Sequence, residues 1–177
     1  MSLILGVDPG LTRCGFGLID SDKTTAIRFG LFTSEKEDDP RDRVGGISLQ
    51  LQELISEHKP DLIALERVFA QANLRSVMGV AQISGALMAI AHQRQIPLQF
   101  FTPSEVKAAV AGNGRATKDQ VGLMVTRILK LETTPKPADV ADALAVALCA
   151  SNRSELVGTP AQRQWVAARK IARGKLG

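Results

Sequence analysis

Asp8 closes an apolar run, Leu3 to Val7, and Glu66 closes a second one, Leu62 to Leu65. Both runs have the length and character of buried strands, so both acids fall at strand carboxyl ends, where open α/β sheets bind ligands. Either acid alone would simply begin a solvated loop, but side by side on neighbouring strands they define a site. Asp139 and Asp142 stand three residues apart at the start of a helical pattern with the apolar stripe Val140, Leu144, Ala147 and Leu148. That spacing projects both carboxylates from one helix face, near the positive end of the helix dipole. By themselves they are ordinary acids of a first helical turn. Four acids in one cleft are different, because like charges so close cannot all stay ionised without a cation. Hard carboxylate oxygens suit Mg²⁺ or Mn²⁺, and two such ions about 4 Å apart hydrolyse phosphodiesters.

The charge distribution points to a polyanionic partner. The 177-residue chain carries a formal charge of +4, yet residues 151–177 hold six basic side chains against the single acid Glu155. A second basic cluster runs from Lys107 to Lys130 and includes Arg115, Lys118 and Arg127, with Asp119 its one acid. Such patches are the footprint of nucleic-acid binding, and solvated helix faces share it. The segment GNGRATK at 112–118 has Thr117 where a nucleotide-binding P-loop needs its second glycine, which argues against triphosphate binding of that type. It remains a glycine turn able to present Arg115 and Lys118 to a DNA backbone. Phe69, three residues after Glu66, is one of six Phe in a chain with no Tyr and one Trp. Its ring is either core or an exposed wedge that stacks on bases.

These residues need a scaffold that brings them together. Residues 3–8, 14–20 and 25–33 read as three strands joined by connections too short for crossovers, hence an antiparallel meander. A helix with Val44, Ile47, Leu51, Leu54 and Ile55 at helical spacing follows and is stopped at Lys59-Pro60. The strand at 62–66 then needs that helix as its crossover and runs parallel to the first strand, as does a fifth strand at 97–102. Further helices are expected at 74–93, 105–111, 117–129 (with the capping box Thr117/Gln120) and from Pro137 onward. The result is an α/β fold with a mixed five-stranded sheet covered by helices. Helix 74–93 is apolar over more than one face, which implies deep burial or a subunit interface.

With 45% hydrophobic and 23% charged residues the chain is an ordinary globular one, not disordered or collagen-like. No apolar run reaches the ~18–20 residues of a membrane span. The N-terminus lacks a basic leader and reads as a strand rather than a signal peptide. Cys14 and Cys149 have no CxxC or Cys/His spacing, as expected of a reduced, cytoplasmic protein. Residues 1–151 are expected to form one domain and 152–177 a basic tail, helical or disordered.

Four stretches together resemble the RuvC family of Holliday-junction resolvases, the crossover junction endodeoxyribonucleases. They are GVDPGLTRCGFGLID at 6–20, LIALERVFAQAN at 62–73, VKAAVAGNGRATKDQV at 106–121 and PADVADALAVAL at 137–148, in the family's order and spacing. The resemblance implies a ribonuclease-H-like fold, a homodimer and two Mg²⁺ ions per site, with Mn²⁺ a substitute. It assigns Asp8, Glu66, Asp139 and Asp142 as catalytic metal ligands, Phe69 as the aromatic applied to bases near the junction centre, and Lys107 and Lys118 as DNA contacts. It further implies paired symmetric nicks in recombination and repair, and cooperation with the RuvA–RuvB branch-migration machinery. Helix 74–93 matches the dimer-forming helix, although NLRSVMGVAQISG departs from the KLGQARG-like text common there. Three alternatives stay open: an actin-like kinase core, for which 177 residues are too few; a non-catalytic junction binder, which should have lost an acid; and a resolvase-like ribosomal-RNA processing nuclease.

Overall fold

The computed structural model describes residues 2–67 and 74–154; Phe69 and the tail from residue 155 lie outside the described residues. Strands β1 (Leu3–Asp8), β2 (Arg13–Asp20) and β3 (Thr25–Thr33) form the expected meander, with Leu3 opposite Asp20 and Asp8 opposite Gly15. Helix α1 (Pro40–His58) carries the chain over to β4 (Leu62–Glu66), which pairs parallel to β1 with Ile4 beside Leu62 and Val7 beside Leu65. Asp8 and Glu66 therefore leave the sheet at the same end, on adjacent strands. Helix α2 (Leu74–Gln93) leads to β5 (Leu98–Phe101), parallel to β4, and the sheet order is β3-β2-β1-β4-β5. Helices α3 (Pro103–Ala111), α4 (Lys118–Ile128) and α5 (Ala138–Ser154) complete the body.

Helix ends follow local chemistry. The Asp39 carboxylate accepts from the Arg41 N–H at 2.8 Å ahead of α1, and Pro40 supplies the fixed φ of a first helical residue. Both α3 and α4 open with reciprocal capping boxes, Thr102/Glu105 and Thr117/Gln120. The box at Thr117 starts α4 at Lys118 and so fixes where that ammonium stands.

Alternation along the central strands sends side chains to two cores. Leu5, Val7 and Leu65 meet α1 and α2 on one face, while Ile4 and Ala64 meet α3, α4 and α5 on the other. The second face explains the site. Gly6 of β1 pairs with Gly17 of β2, and Gly15 lies two residues before it. A Cβ on Gly6 would collide with the Ala143 carbonyl, one on Gly15 with the Asp139 carbonyl, and one on Gly17 would lie 2.6 Å from Leu144 Cδ2. Without those side chains α5 rests directly on the strands. Its first turn is thereby brought to the end of β1.

The folded body runs three residues past the boundary expected at 151. Arg153 pairs with Glu105 at 2.9 Å and lies 5.7 Å from the Phe101 ring centroid, and the Asn152 side chain donates to the Ala109 carbonyl at 3.3 Å. These contacts tie the last turn of α5 to α3 and β5. His58 is half-buried at the end of α1, its Nε2 3.7 Å from Glu57.

Candidate active site

Strand ends position two of the acids and the glycine-seated helix the other two. Each feels the others. Burial pushes the Asp8 carboxyl up to about 7, and the charges of Asp142, Glu66 and Asp139 add to it, against an opposing pull from Lys118. Glu66 is raised as well, by burial and then by Asp142, with Lys118 and Lys107 acting the other way. So the four expected ligands do share one cleft, and Lys107 and Lys118 stand beside it.

Two cations are engaged with the acids of α5. Lys118 Nζ donates to Asp142 Oδ2 at 3.0 Å, and that bond together with the Asp142 charge holds its ammonium above the ordinary lysine range. Arg13, the first residue of β2, brings its guanidinium to 3.3 Å from Asp139 Oδ2. The alignment is not that of a hydrogen bond, and this buried oxygen has no hydrogen-bond partner among the described residues. Arg115 is exposed on the turn before α4, where its backbone N–H is held by Asn113 Oδ1 at 2.9 Å. The thiol of Cys14, buried close to Asp8 and Asp139, is pushed up to about 12, chiefly by burial, and stays protonated.

The turn between Asp8 and Arg13 is fastened from three sides. Arg43 of α1 donates to Thr12 Oγ1 at 2.9 Å and to Ser34 Oγ at 3.0 Å, and Ser34 donates in turn to the Leu11 carbonyl at 2.5 Å. Leu11 lies against Gly79 of α2, where a Cβ would come within 2.9 Å of the leucine Cβ. Sequence reasoning missed Arg13 and Arg43, because both act through segments distant in the chain. The glycine spacing at 6, 15 and 17 was the available signal for α5.

The donor set fits a hard divalent cation: all four acids offer oxygen, one oxygen is buried without a hydrogen-bond partner, and three acid charges add to the burial that already raises the Asp8 carboxyl. Among the described residues no three acid, histidine or cysteine side chains are already arranged to hold an ion.

An acidic cleft at the carboxyl ends of parallel strands, in this strand order and with α5 across it, defines a ribonuclease-H-like α/β nuclease. The family model described as "Crossover junction endodeoxyribonuclease RuvC" matches residues 4–150, and the chain belongs to that family. The protein of that name from Paenarthrobacter aurescens is 47% identical over 186 residues, covering 97% of each chain. Among solved structures, Thermus thermophilus RuvC superposes with a TM-score of 0.81 at 29% identity, over 87% of this chain and 96% of that one. The same protein in complex with Holliday junction substrate gives 0.81 at 28%, over 88% and 96%.

Proposed function

We propose that this chain resolves four-way (Holliday) DNA junctions in recombination and repair, by paired symmetric nicks made through two-metal-ion phosphodiester hydrolysis. One observation carries the chemistry: Asp8 stands at a strand end among three other acids, each of which adds to the rise that burial gives its carboxyl, and such a group is balanced in charge only with cations. Asp8, Glu66, Asp139 and Asp142 would hold two Mg²⁺ ions per site, with Mn²⁺ a substitute. When bound, such ions neutralise the acids, acidify water and stabilise the leaving oxygen. The side chains do the rest. Asp8 must give up its proton for the ligand set to form, so at limiting Mg²⁺ metal binding should strengthen as pH rises toward about 7. Lys107 and Lys118 present ammonium groups to the scissile phosphate, Arg115 extends the basic strip along the DNA backbone, and Phe69 works on bases at the junction centre.

A two-fold junction calls for a two-fold enzyme, and α2 offers the surface. Met78, Ala81, Gln82, Gly85 and Met88 lie exposed along one side of it, with Met78 56% and Met88 50% accessible, while Ile83 and Leu87 on the other side are fully buried. Exposed apolar and small residues on one face suit close packing against a second copy. Met78→Glu should convert a dimer to monomers in sedimentation velocity with little change in Tm, and should cost most of the paired cleavage. A wild type that sediments as a monomer at assay concentration would refute the homodimer.

The nuclease domain, expected to end at 151, would extend to the end of α5 at Ser154, with the remaining residues to 177 acting as a separate basic tail. Cooperation with the RuvA–RuvB machinery and a cytoplasmic setting accord with the family. No helix among the described residues is long and apolar enough to cross a membrane. The substrate is tested by offering a mobile four-way DNA junction, a linear duplex and a structured RNA at equal concentration in Mg²⁺. Strong preference for the junction is expected, and equal or faster cutting of the RNA would favour an RNA-processing nuclease instead.

A further inference from the structure

The two cations that pair with the acids of α5 differ in what they are free to do. Lys118 stands at a helix start facing the cleft and has a ready part in the approach of DNA. Arg13 lies apart from the strip of Lys107, Arg115 and Lys118, yet its placement is tightly determined. It opens β2 two residues before Gly15, where the main chain of Asp139 rests against the strand, so close packing sets its reach to that carboxylate. The oxygen it faces is buried and is balanced by charge alone, without a hydrogen bond from any described residue. Arg13 itself is 57% exposed against 19% for Asp139, so the guanidinium can leave without disturbing the core.

We infer that Arg13 is a positioning residue that takes the place of a divalent cation at Asp139, steadying that carboxylate in the metal-free protein and yielding it when an ion enters. The inference rests on Asp8, Glu66, Asp139 and Asp142 being metal ligands. Its logic is charge balance. Four carboxylates packed together repel one another, and Arg13 and Lys118 offset two of them. Two divalent ions would bring four positive charges to the same four acids, leaving both side chains surplus at the cleft mouth. A surplus guanidinium there meets a phosphate, which its planar donor fork suits. One residue would thus limit metal entry and then grip the DNA that follows.

The test is Mn²⁺ binding to the full-length protein without DNA, by isothermal titration calorimetry at pH 8 and low salt, for wild type, Arg13→Gln and Arg13→Lys. Losing a half-exposed competitor should tighten Mn²⁺ binding roughly 2- to 5-fold in Arg13→Gln. Arg13→Lys, which keeps the charge, should bind like wild type, and the gain should shrink in about 0.5 M salt as screening weakens the pair. Melting curves within a few degrees of one another establish that all three are folded, and a neutral side chain at so exposed a position should satisfy that. Equal affinities would make Arg13 a surface charge, and weaker binding in Arg13→Gln would make it a prop for the ligand set; either overturns the inference. A wild type that binds no Mn²⁺ would instead remove the ligand assignment itself.

Discussion

Asp8→Asn should abolish junction cleavage in Mg²⁺, by about a thousandfold or more, while junction binding in EDTA stays the same or tightens slightly. The substitution preserves shape, removes one ligand charge and acts where charge develops in the transition state. Binding gains because a repulsive charge has left the path of the phosphate, and the Lys and Arg contacts are untouched. High salt should weaken binding of wild type and variant alike. Asp119→Asn, on the exposed first turn of α4, should do little. Stability gives a second handle on the same residue. The Asp8 carboxyl titrates near 7 in the folded protein against an ordinary 3.8. Between those values the native state holds a proton that the unfolded chain has lost, so metal-free stability must fall as pH rises through that window. The loss is on the order of 1–4 kcal/mol and is complete above about 7. Asp8→Asn should flatten that slope and melt higher than wild type at pH 8 in EDTA. A variant that melts lower at pH 8, or cuts at near wild-type rate, would dissociate Asp8 from the acidic cluster.

Gly15→Ala should damage both stability and cleavage. Its Cβ would run into the Asp139 carbonyl, a backbone atom that cannot turn aside as a side chain would. Helix α5 must then lift from β2 at the turn that carries both acids. Overpacking of this kind costs roughly 1–3 kcal/mol. Displacing Asp139 and Asp142 by even about 1 Å should cost about a hundredfold in rate. Gly45→Ala, on α1 with open space around it, is the matched control and should leave stability and cleavage intact. Chemical denaturation and junction cleavage read both. Full activity in Gly15→Ala would mean that α5 tolerates a looser seat than the glycines imply.

The scaffold was legible because each part of it is local. Strand ends at Asp8 and Glu66 were visible as apolar runs meeting an acid, and short connections left no topology for the first three strands but a meander. Parallel pairing of β1 with β4 followed from the intervening helix, and with it the adjacency of two acids. The i,i+3 spacing of Asp139 and Asp142 was equally local. What a linear pattern does not carry is contact between distant segments. Arg13 meets Asp139 only because α5 lies on bare glycines, and Arg43 meets Thr12 only because α1 returns beside the turn after β1. The exposure of Met78 and the burial of Ile83 are similar: helix 74–93 is apolar all round, and only the packing of α1 and the sheet decides which side is covered.

The central claim is a paired, metal-dependent incision at a four-way junction, and mapping the cuts on a synthetic junction tests it most directly. Each of the four strands is end-labelled in turn, and the protein is added in Mg²⁺ or in EDTA. Nicks are expected in two strands of like polarity at positions related by the junction's two-fold axis, with 5′-phosphate ends that a ligase reseals, and none in EDTA. Cuts that persist in EDTA, fall in a single strand, or occur equally in linear duplex would contradict it.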